Sequence, residues 1–548
     1  MKSISRVSGA PVSFVSYVVG SLASIGGLLF GWDTGQISDL VIMQDFKQRF
    51  SQGPPGEKDW SPWIKGLVVS LLSAGAILGA AFGAPVADRL GRRYSISLGC
   101  IVYFVALIIQ ISSEHDWAQI AVGRAVDGFA IGWISATVPL YNSEIMPRQV
   151  RGAMVGSYQL CVTLGLLLSY CCCYATHKYG DSGEWRVPIG VGFGYGLILC
   201  FGILICPESP RWLAKKGRFD QAKKVLAFMR GVGQDDKFVN DEYTEIKNEV
   251  EKETEMQEGN SWLDCFSLKH KALYRTLMAV LLQMGQQLTG ANYFFYYGAT
   301  IFAPVELVSN KEDNSYIAQI ILGAVNVFTT LPGLYALDKF GRRTCLLVGA
   351  AWMTIWLIVF STAGVCGHDD GNPGNVSDKS IAILMICSAC FFILGFASTW
   401  GPGVWSSVAE LAVPQLRAKQ MALATMSNWT WNFNLAFFTS PITDDIHFYY
   451  GYVFVGCVVA FFFIVFFFLY ETANLDLETV QLMFMDSSVK PWNSANWVPS
   501  GRESRSDLKH DIEHDQIESD IDVAVNDQYQ HTNEAVSYTH LTLPTTPY

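Results

Sequence analysis

The chain has 548 residues, of which 50% are hydrophobic and only 16% are charged, and its mean hydropathy is +0.25. A soluble globular domain usually carries about 25% charged residues, so this composition argues against a soluble protein and for a membrane protein. The net charge of −11 comes mainly from the polar end of the chain, and it gives no sign of nucleic-acid binding.

Twelve stretches are apolar enough to cross a bilayer, which takes about 20 residues in a helix. Their approximate limits are 12–34, 66–87, 94–113, 118–141, 153–176, 187–206, 276–303, 316–337, 345–365, 381–409, 420–442 and 450–470. Backbone polar groups in lipid have to be hydrogen-bonded within their own segment, so each stretch is predicted to be a helix. The first stretch is too long for a signal-peptide core and is counted as a spanning helix.

The polar segment between the sixth and seventh spans predicts the orientation of the chain. It carries six basic residues soon after the sixth span: Arg211, Lys215, Lys216, Arg218, Lys223 and Lys224. Cytoplasmic segments carry an excess of Lys and Arg, so this segment and both termini are predicted to be cytoplasmic. The predicted parts are a cytoplasmic N-terminus (1–11), a six-helix bundle (12–206), a cytoplasmic central loop with short helices (207–275), a second six-helix bundle (276–470) and a largely disordered cytoplasmic tail (471–548). The last stretch, 537–548, shows no relation to the rest of the chain.

An internal repeat relates the two predicted bundles. Asp88-Arg89-Leu90-Gly91-Arg92-Arg93 recurs 250 residues later as Asp338-Lys339-Phe340-Gly341-Arg342-Arg343. In each half a glutamate then precedes an arginine by seven residues, as Glu144 and Arg151 and as Glu410 and Arg417. The sequence therefore predicts an all-α membrane protein of twelve transmembrane helices in two related six-helix halves. In transporters built from such repeats, the substrate site lies between the repeats near the middle of the membrane.

A series of short motifs runs along the chain in a fixed order. They are Gly31-Trp32-Asp33-Thr34-Gly35, the two repeated loops, Pro139-Leu140-Tyr141, Pro207-Glu208-Ser209-Pro210-Arg211-Trp212-Leu213, Gln286-Gln287-Leu288-Thr289-Gly290-Ala291-Asn292, Gly401-Pro402, Ser427-Asn428-Trp429 and Glu471-Thr472. Over about residues 14–480 this series resembles the sugar-porter branch of the major facilitator superfamily, and fungal hexose transporters in particular. The resemblance implies the major facilitator fold, and transport of a hexose such as glucose or fructose by alternating access across the plasma membrane.

Sugars present many hydroxyl groups and weakly apolar ring faces, so a sugar site needs amide side chains, which both donate and accept hydrogen bonds, and an aromatic surface. The resemblance implies that seven such residues line the hexose pocket: Gln159, Gln286, Gln287, Asn292, Asn326, Trp405 and Asn432. For any single amide, the alternative is a hydrogen bond that only joins two helices. For Trp405 it is a core or lipid-facing aromatic, and Asn428 is interpreted as structural. Tyr296 and Tyr297 could gate the outer mouth or simply pack in the core.

The charged loops predict a gate network at the cytoplasmic ends of the two halves. Its expected members are Asp88, Arg92, Glu144, Arg151, Glu208, Arg211, Asp338, Arg342, Glu410, Arg417 and Glu478. Ion pairs there can latch the halves in the outward-open state and separate when the inner gate opens. The alternative is a plain topology signal from basic loops.

Charged residues within apolar spans are rare and usually functional. Asp33 and Arg124 are such residues, and the resemblance implies a proton-responsive pair in proton-coupled relatives. Asp127 lies three residues after Arg124 on the same helix face and could compete with Asp33 for the guanidinium. Proton coupling and a fixed ion cluster in a facilitator both remain open at this stage.

The expected partners are the sugar, the lipid bilayer and, in a symporter, protons; no nucleic acid and no cofactor are expected, and the protein is expected to be monomeric. The sequence shows no catalytic triad, metal cluster or phosphate loop, so an enzyme is rejected. Two alternatives stay open: a sugar-sensing receptor with a transporter fold, and a transporter of another polyol-like solute such as quinate, inositol or a disaccharide. Asn375 begins a glycosylation sequon in a predicted outer loop.

Overall fold

The structure is a computed structural model. It describes residues 4–7, 10–53, 58–257, 261–302, 311–369, 372–376, 378–473, 475, 477–486 and 488–498. The predicted tail beyond residue 498, including 537–548, and the side chain of Asn375 lie outside the described part.

The described residues form nineteen α-helices. They are α1 (Phe14–Leu40), α2 (Gln44–Phe50), α3 (Pro62–Leu90), α4 (Arg92–Ile111), α5 (Trp117–Ile145), α6 (Arg148–Thr176), α7 (Gly183–Ile205), α8 (Pro210–Lys215), α9 (Phe219–Arg230), α10 (Lys237–Gln257), α11 (Ala272–Leu288), α12 (Ala291–Phe302), α13 (Lys311–Phe340), α14 (Arg342–Cys366), α15 (Lys379–Gly395), α16 (Gly401–Leu411), α17 (Arg417–Ile446), α18 (Tyr450–Phe468) and α19 (Leu477–Met485). Two short antiparallel hairpins pair β1 (Ile4–Val7) with β2 (Ala10–Ser13) and β3 (His368–Asp369) with β4 (Asn372–Val376).

This arrangement confirms the predicted fold class. The N-terminal half consists of α1 and α3 to α7, and the C-terminal half consists of α11 to α18. Among the described residues, nine helical segments are long and apolar enough to cross a membrane, and one of them, 419–468, runs through both α17 and α18. Helix α5, which carries Arg124 and Asp127, is not among the nine, and neither are α11 and α12, each shorter than the roughly 20 residues of a span.

The predicted seventh span, 276–303, is wrong as one continuous helix. The chain breaks between α11 and α12, where Gly290 has a φ of +91°. A Cβ at this position would lie 2.7 Å from Cγ of Phe454, so both the backbone conformation and the packing require glycine. The predicted tenth span, 381–409, contains a π-helix at Phe396–Trp400 between α15 and α16.

The halves meet along two pairs of helices that are packed closely through glycine. In α3, a Cβ on Gly66 would lie 2.3 Å from the carbonyl oxygen of Phe437 in α17. In α13, a Cβ on Gly323 would lie 3.2 Å from Cα of Leu167 in α6. Small residues allow helices in a membrane to approach closely, and here they hold one half against the other.

The two ends of the bundle differ in what covers them. At the end called here the central-loop end, α8, α9 and α10 lie under the N-terminal half, and Ser16 donates a hydrogen bond of 2.6 Å to the carbonyl of Met229. A buried pair of Arg230 and Glu242, 2.8 Å apart, joins α9 to α10. The other end, called here the opposite end, carries α2, the start of α3 and the end of α17.

Candidate substrate site and gate networks

Four of the predicted pocket residues form one hydrogen-bonded network between α11, α12 and α17. The side-chain oxygen of Gln287 accepts hydrogen bonds from Asn292, at 2.5 Å, and from Asn432, at 3.3 Å. Its amide nitrogen donates to Asn428 at 3.0 Å. Asn428 in turn donates to Gln286 at 2.8 Å. The network thus brings together amide groups from both sides of the break at Gly290.

Asn428, interpreted from the sequence as structural, is the central member of this network. It also donates to Gln283 at 2.7 Å, and it is 5% exposed. Gln283 was not predicted. Its signal was its spacing, because Gln283, Gln286 and Gln287 share one face of α11, as Asn428 and Asn432 share one face of α17.

The same network reaches the N-terminal half. The side-chain oxygen of Asn432 accepts hydrogen bonds from the Tyr296 hydroxyl, at 3.0 Å, and from Ser73 in α3. Ser73 was not predicted either, since a single serine in an apolar span gives no signal of its own. Its contact with Asn432 places the amide network directly against the boundary between the halves.

Gln286 also makes hydrogen bonds to the backbone at the π-helix. A π-helix interrupts the regular backbone hydrogen-bond pattern of an α-helix. The amide nitrogen of Gln286 donates to the carbonyl oxygens of Trp400, at 3.0 Å, and Gly401, at 2.7 Å. Gln286 therefore stabilises the irregular backbone, while Gln287 faces the other amides.

The remaining three predicted pocket residues lie on other helices. Gln159 is half-buried in α6, Asn326 is buried in α13, and Trp405 is half-buried in α16, one turn after the π-helix. The hydrogen bonds of the described side chains do not join them to the amide network.

Asp33, Arg124 and Asp127, the three charged residues within the spans that are singled out from the sequence, are fully buried in the N-terminal half. The Arg124 guanidinium donates to the backbone carbonyl of Asp33 at 3.1 Å and lies 3.8 Å from the Asp127 carboxylate. The Asp33 carboxylate accepts a hydrogen bond of 2.6 Å from Gln36, and Asp127 accepts one of 3.1 Å from Gln110. Arg124 therefore meets the carboxylate of Asp127 and the main chain of Asp33.

The gate network of the N-terminal half centres on Arg92. Its guanidinium contacts both carboxylate oxygens of Glu144, at 2.8 and 2.9 Å, and the carboxylate of Asp88, at 3.0 Å. Its backbone N–H donates to Glu208 at 2.9 Å, and Ser209 donates to Glu144. Burial raises the pKa of the Glu208 carboxyl above its ordinary value, although the backbone N–H groups of Ser209 and Arg92 oppose this shift.

The C-terminal half repeats this arrangement. The Arg342 guanidinium contacts Glu410 at 2.9 and 3.0 Å, and its backbone N–H donates to Glu471 at 3.0 Å. Thr472 donates to Glu410 at 2.6 Å, as Ser209 does to Glu144. Glu471 and Thr472 were not predicted as gate residues. The missed signal was a second repeat, Glu208-Ser209 against Glu471-Thr472, which has the same order in both halves.

A glycine makes room for the glutamate in each half. Gly91 has a φ of +101° and Gly341 a φ of +86°, a region that only glycine adopts readily. A Cβ would lie 2.4 Å from a carboxylate oxygen of Glu208 at the first position and 2.5 Å from one of Glu471 at the second.

Among the other predicted gate residues, the structure describes the side chains of two and not those of three. Arg417 is exposed and Arg211 half-buried, and the side chains of Arg151, Asp338 and Glu478 lie outside the described part. The pairs Arg92–Glu144 and Arg342–Glu410 each join two helices of the same half.

Besides the bond between Ser73 and Asn432, further hydrogen bonds between the halves lie at the opposite end. Lys65 in α3 donates to Thr300 in α12 at 2.9 Å, and Gln319 in α13 donates to Ser38 in α1 at 2.7 Å. His177, at the end of α6, contacts Asp313 in α13 at 2.8 Å. None of the residues in these further bonds was predicted, because each is a single polar group near the end of a span.

Two related six-helix halves with a polar network at their boundary form the major facilitator fold. Residues 19–484 match the family model described as "Sugar (and other) transporter", and the chain belongs to this sugar transporter family.

Similar proteins come from yeasts. The chain is 42% identical over 498 residues to Hexose transporter 2 of Kluyveromyces lactis, covering 90% of this chain and 87% of that protein. It is 40% identical over 497 residues to the Galactose transporter of Saccharomyces cerevisiae, covering 90% of this chain and 85% of that one. The fold is similar to that of the xylose transporter XylE from E. coli in a partially occluded inward-open conformation. The TM-score is 0.69 at 23% identity, covering 83% of this chain and 98% of that one.

Proposed function

We propose that this sugar transporter carries a hexose across the plasma membrane, with its central-loop end and both termini in the cytoplasm. The observation that carries the proposal is the amide network of Gln287, Asn292 and Asn432 at the boundary between the halves. Amides that hydrogen-bond to one another can exchange those bonds for the hydroxyl groups of a sugar without leaving a buried polar group unpaired. Similar yeast proteins bear the names of hexose and galactose transporters.

In this proposal all seven predicted residues line one pocket between the bundles 12–206 and 276–470. Gln286, Gln287, Asn292 and Asn432 contribute from the C-terminal half, and their shared network supports this part. Asn326 and Trp405 would complete that side, and Gln159 would face them from α6. We propose that the transporting unit is a monomer, and the support is that the amide network is complete within one chain.

The gate networks would act in the state of the cycle in which the opposite end is open and the central-loop end is closed. In the structure the opposite end is held by contacts such as Lys65–Thr300 and His177–Asp313. We propose that the central-loop end closes when this end opens, and that Glu144, Arg151, Glu410 and Arg417 then pair across the halves. The pairs inside each half would preorganise the two glutamates for that contact.

For the energy source we propose facilitated transport. The support is the position of Arg124, which engages Asp127 and the main chain of Asp33 and leaves no direct ion pair with the Asp33 carboxylate among the described contacts. The test is sugar-induced alkalinisation of a weakly buffered cell suspension, for the wild-type protein and for Asp33→Asn. Alkalinisation that disappears in the variant while sugar exchange survives would establish proton symport. No proton movement at saturating sugar supports a facilitator.

The experiment for the substrate is uptake of labelled sugars by transport-deficient cells that express the chain. The panel contains glucose, fructose, galactose, xylose, inositol, quinate and a disaccharide. Uptake of hexoses with competition among them is expected. Uptake restricted to a non-hexose would overturn the proposed substrate. Hexose-dependent signalling without uptake would instead indicate a receptor.

A further inference from the structure

A cavity of about 290 Å³ lies at the opposite end of the bundle, between the two halves. The N-terminal half contributes Asp59, Trp60 and Lys65. The C-terminal half contributes two groups of residues, one within 293–301 of α12 and one within 440–448, at the end of α17 and in the turn after it. None of the seven predicted pocket residues lines it. The cavity is therefore separate from the amide network.

Two residues that line the cavity carry buried hydroxyl groups without a hydrogen-bond partner among the described residues. Tyr293 is 2% exposed, and its hydroxyl has no hydrogen-bond partner among the described residues. The hydroxyl of Thr443 is likewise buried and has none in the described part of the chain. Buried polar groups in proteins are nearly always paired, so these two hydroxyl groups are available to pair with a molecule, water or ligand, that binds in the cavity.

The rest of the lining shows which chemistry would fit. Lys65 offers an ammonium group, 2.9 Å from the Thr300 hydroxyl and 5.8 Å from the centre of the Tyr297 ring, and Asp59 and Asp444 offer carboxylates. Groups of both signs next to hydroxyl groups and aromatic rings favour a neutral ligand that donates and accepts many hydrogen bonds. An anion would meet the carboxylates, and a cation would meet Lys65.

The size and position of the cavity further limit the kind of ligand that it can hold. Sites for drug-sized ligands usually measure about 300–1,000 Å³, so this one suits a molecule no larger than a single sugar ring. The side chain of Asp59 is 76% exposed and Asp444 is also exposed, so the cavity can be entered from this end.

We propose that this cavity is a second binding site for a small neutral polyol, a monosaccharide or a sugar alcohol, distinct from the transport pocket. The inference rests on the proposed function for its orientation, because the opposite end then faces the outside. Since the walls come from both halves, a ligand can make all its contacts only while this end is closed. Binding therefore shifts the population towards the closed state by mass action.

A consequence for transport follows directly. External sugar that fills the cavity delays the reopening of the outer end, which has to occur once in every cycle. The initial rate of uptake should therefore pass through a maximum and decline at high external sugar.

The first experiment measures this decline in cells. Thr443→Val removes one cavity hydroxyl and keeps the side-chain volume. Thr439→Val is the matched control, because Thr439 lies one turn earlier on α17 and outside the cavity lining. The rate should decline at high sugar in the wild type and in Thr439→Val, and it should reach a plateau in Thr443→Val. A decline that is identical in all three would overturn the proposal.

The second experiment counts bound sugar on purified full-length protein in lipid nanodiscs, by equilibrium dialysis with labelled glucose and labelled sorbitol. The wild type should show two binding sites, one of which should be weakened about fivefold by Gln287→Ala and the other by Thr443→Val. A single site, weakened in Gln287→Ala and unchanged in Thr443→Val, would overturn the second site and leave the proposed transport pocket intact. No binding of either polyol would count against both.

Discussion

Nε2 of His177 lies 2.8 Å from a carboxylate oxygen of Asp313, and this contact joins the two halves at the opposite end. Only 5% of the His177 side chain and 11% of the Asp313 side chain are exposed. Lys178, the next residue, contacts the same carboxylate at 3.0 Å, but 55% of its side chain is exposed. One carboxylate of the C-terminal half therefore receives two groups from the end of α6, one buried and one solvated.

His177→Gln should weaken closure of the opposite end more than Lys178→Gln. A buried hydrogen bond to a charged group contributes about 1.5 kcal/mol or more, whereas an exposed ion pair contributes about 0–1 kcal/mol. A loss of about 1.4 kcal/mol changes the ratio of the two states tenfold, and a larger outward-open population lowers the half-saturating external sugar concentration by up to that factor. The measurement is uptake as a function of external sugar. Equal effects of the two variants would show that burial of His177 does not matter.

Gln287→Ala should reduce the affinity for the transported hexose, since Gln287 joins three other amides of the proposed pocket. One lost sugar hydrogen bond costs on the order of 1 kcal/mol, about fivefold in affinity, and more if a partner is left unpaired. Gln286→Ala is compared with it for thermal stability. This variant removes the hydrogen bonds from Gln286 to the carbonyls of Trp400 and Gly401, and it should lower the thermal stability of the purified protein. Normal affinity in Gln287→Ala would mean that the pocket lies elsewhere.

Trp405→Ala should reduce hexose uptake while the protein still reaches the membrane. Trp405 is the one aromatic side chain among the seven predicted pocket residues, and a flat ring offers a surface to the apolar face of a sugar. Surface expression is measured alongside uptake. Trp352→Ala, which removes a partly exposed indole from α14, is the control for simple loss of an aromatic group. Similar uptake in both variants would indicate a packing role for Trp405.

Gly91→Ala and Gly341→Ala should both destabilise the protein, because each new Cβ would collide with a carboxylate at a φ that alanine disfavours. Strain of this kind costs on the order of 1–3 kcal/mol. Gly190→Ala in α7 is the control, since a Cβ there meets nothing within 4 Å and alanine favours a helix by roughly 0.5–1 kcal/mol. Thermal unfolding in detergent is the readout. Unchanged midpoints for Gly91→Ala and Gly341→Ala would contradict the tight packing against Glu208 and Glu471.

Arg92→Ala and Arg342→Ala should slow cycling more than they weaken sugar binding. Each removes the cation that contacts the gate glutamate of its half, Glu144 or Glu410, and neither residue belongs to the amide network. Glu471→Ala should resemble Glu208→Ala, because the two carboxylates accept equivalent backbone hydrogen bonds. Uptake rate and equilibrium sugar binding are measured on the same variants. A large change in sugar selectivity would contradict a gating role.

The sequence was informative wherever a physical rule acts locally. Long apolar stretches predict spanning helices because unpaired backbone groups are so costly in lipid, and the repeated loops predict two halves. The break at Gly290 escaped prediction because glycine is frequent in membrane helices and only the contact with Phe454 shows that it is required. A break in the helix is expected from Gly401-Pro402-Gly403, but its form as a π-helix and its contact with Gln286, 114 residues earlier than Trp400, are not.

The residues of the candidate site also differ in how far the sequence alone identifies them. Amides are conspicuous in apolar spans, and the family resemblance selected Gln287, Asn292 and Asn432, which the structure brings into one hydrogen-bonded network. Ser73 and His177 could not, because their partners lie in the other half and no local pattern links them. Glu471 could have been found by extending the repeat search beyond the loops to the residues that follow the last span of each half.

The break at Gly290 makes α12 a separate helix of twelve residues, about 18 Å long. Near its first turn it carries Asn292 of the proposed pocket, and eight residues later it carries Thr300, which binds Lys65 at the opposite end. One helix thus takes part both in the proposed sugar binding and in closure of the opposite end. We expect a substitution in α12 that raises the affinity for sugar also to change the rate at which this end opens. Selection for high affinity and selection for a high transport rate should therefore favour different residues in α12.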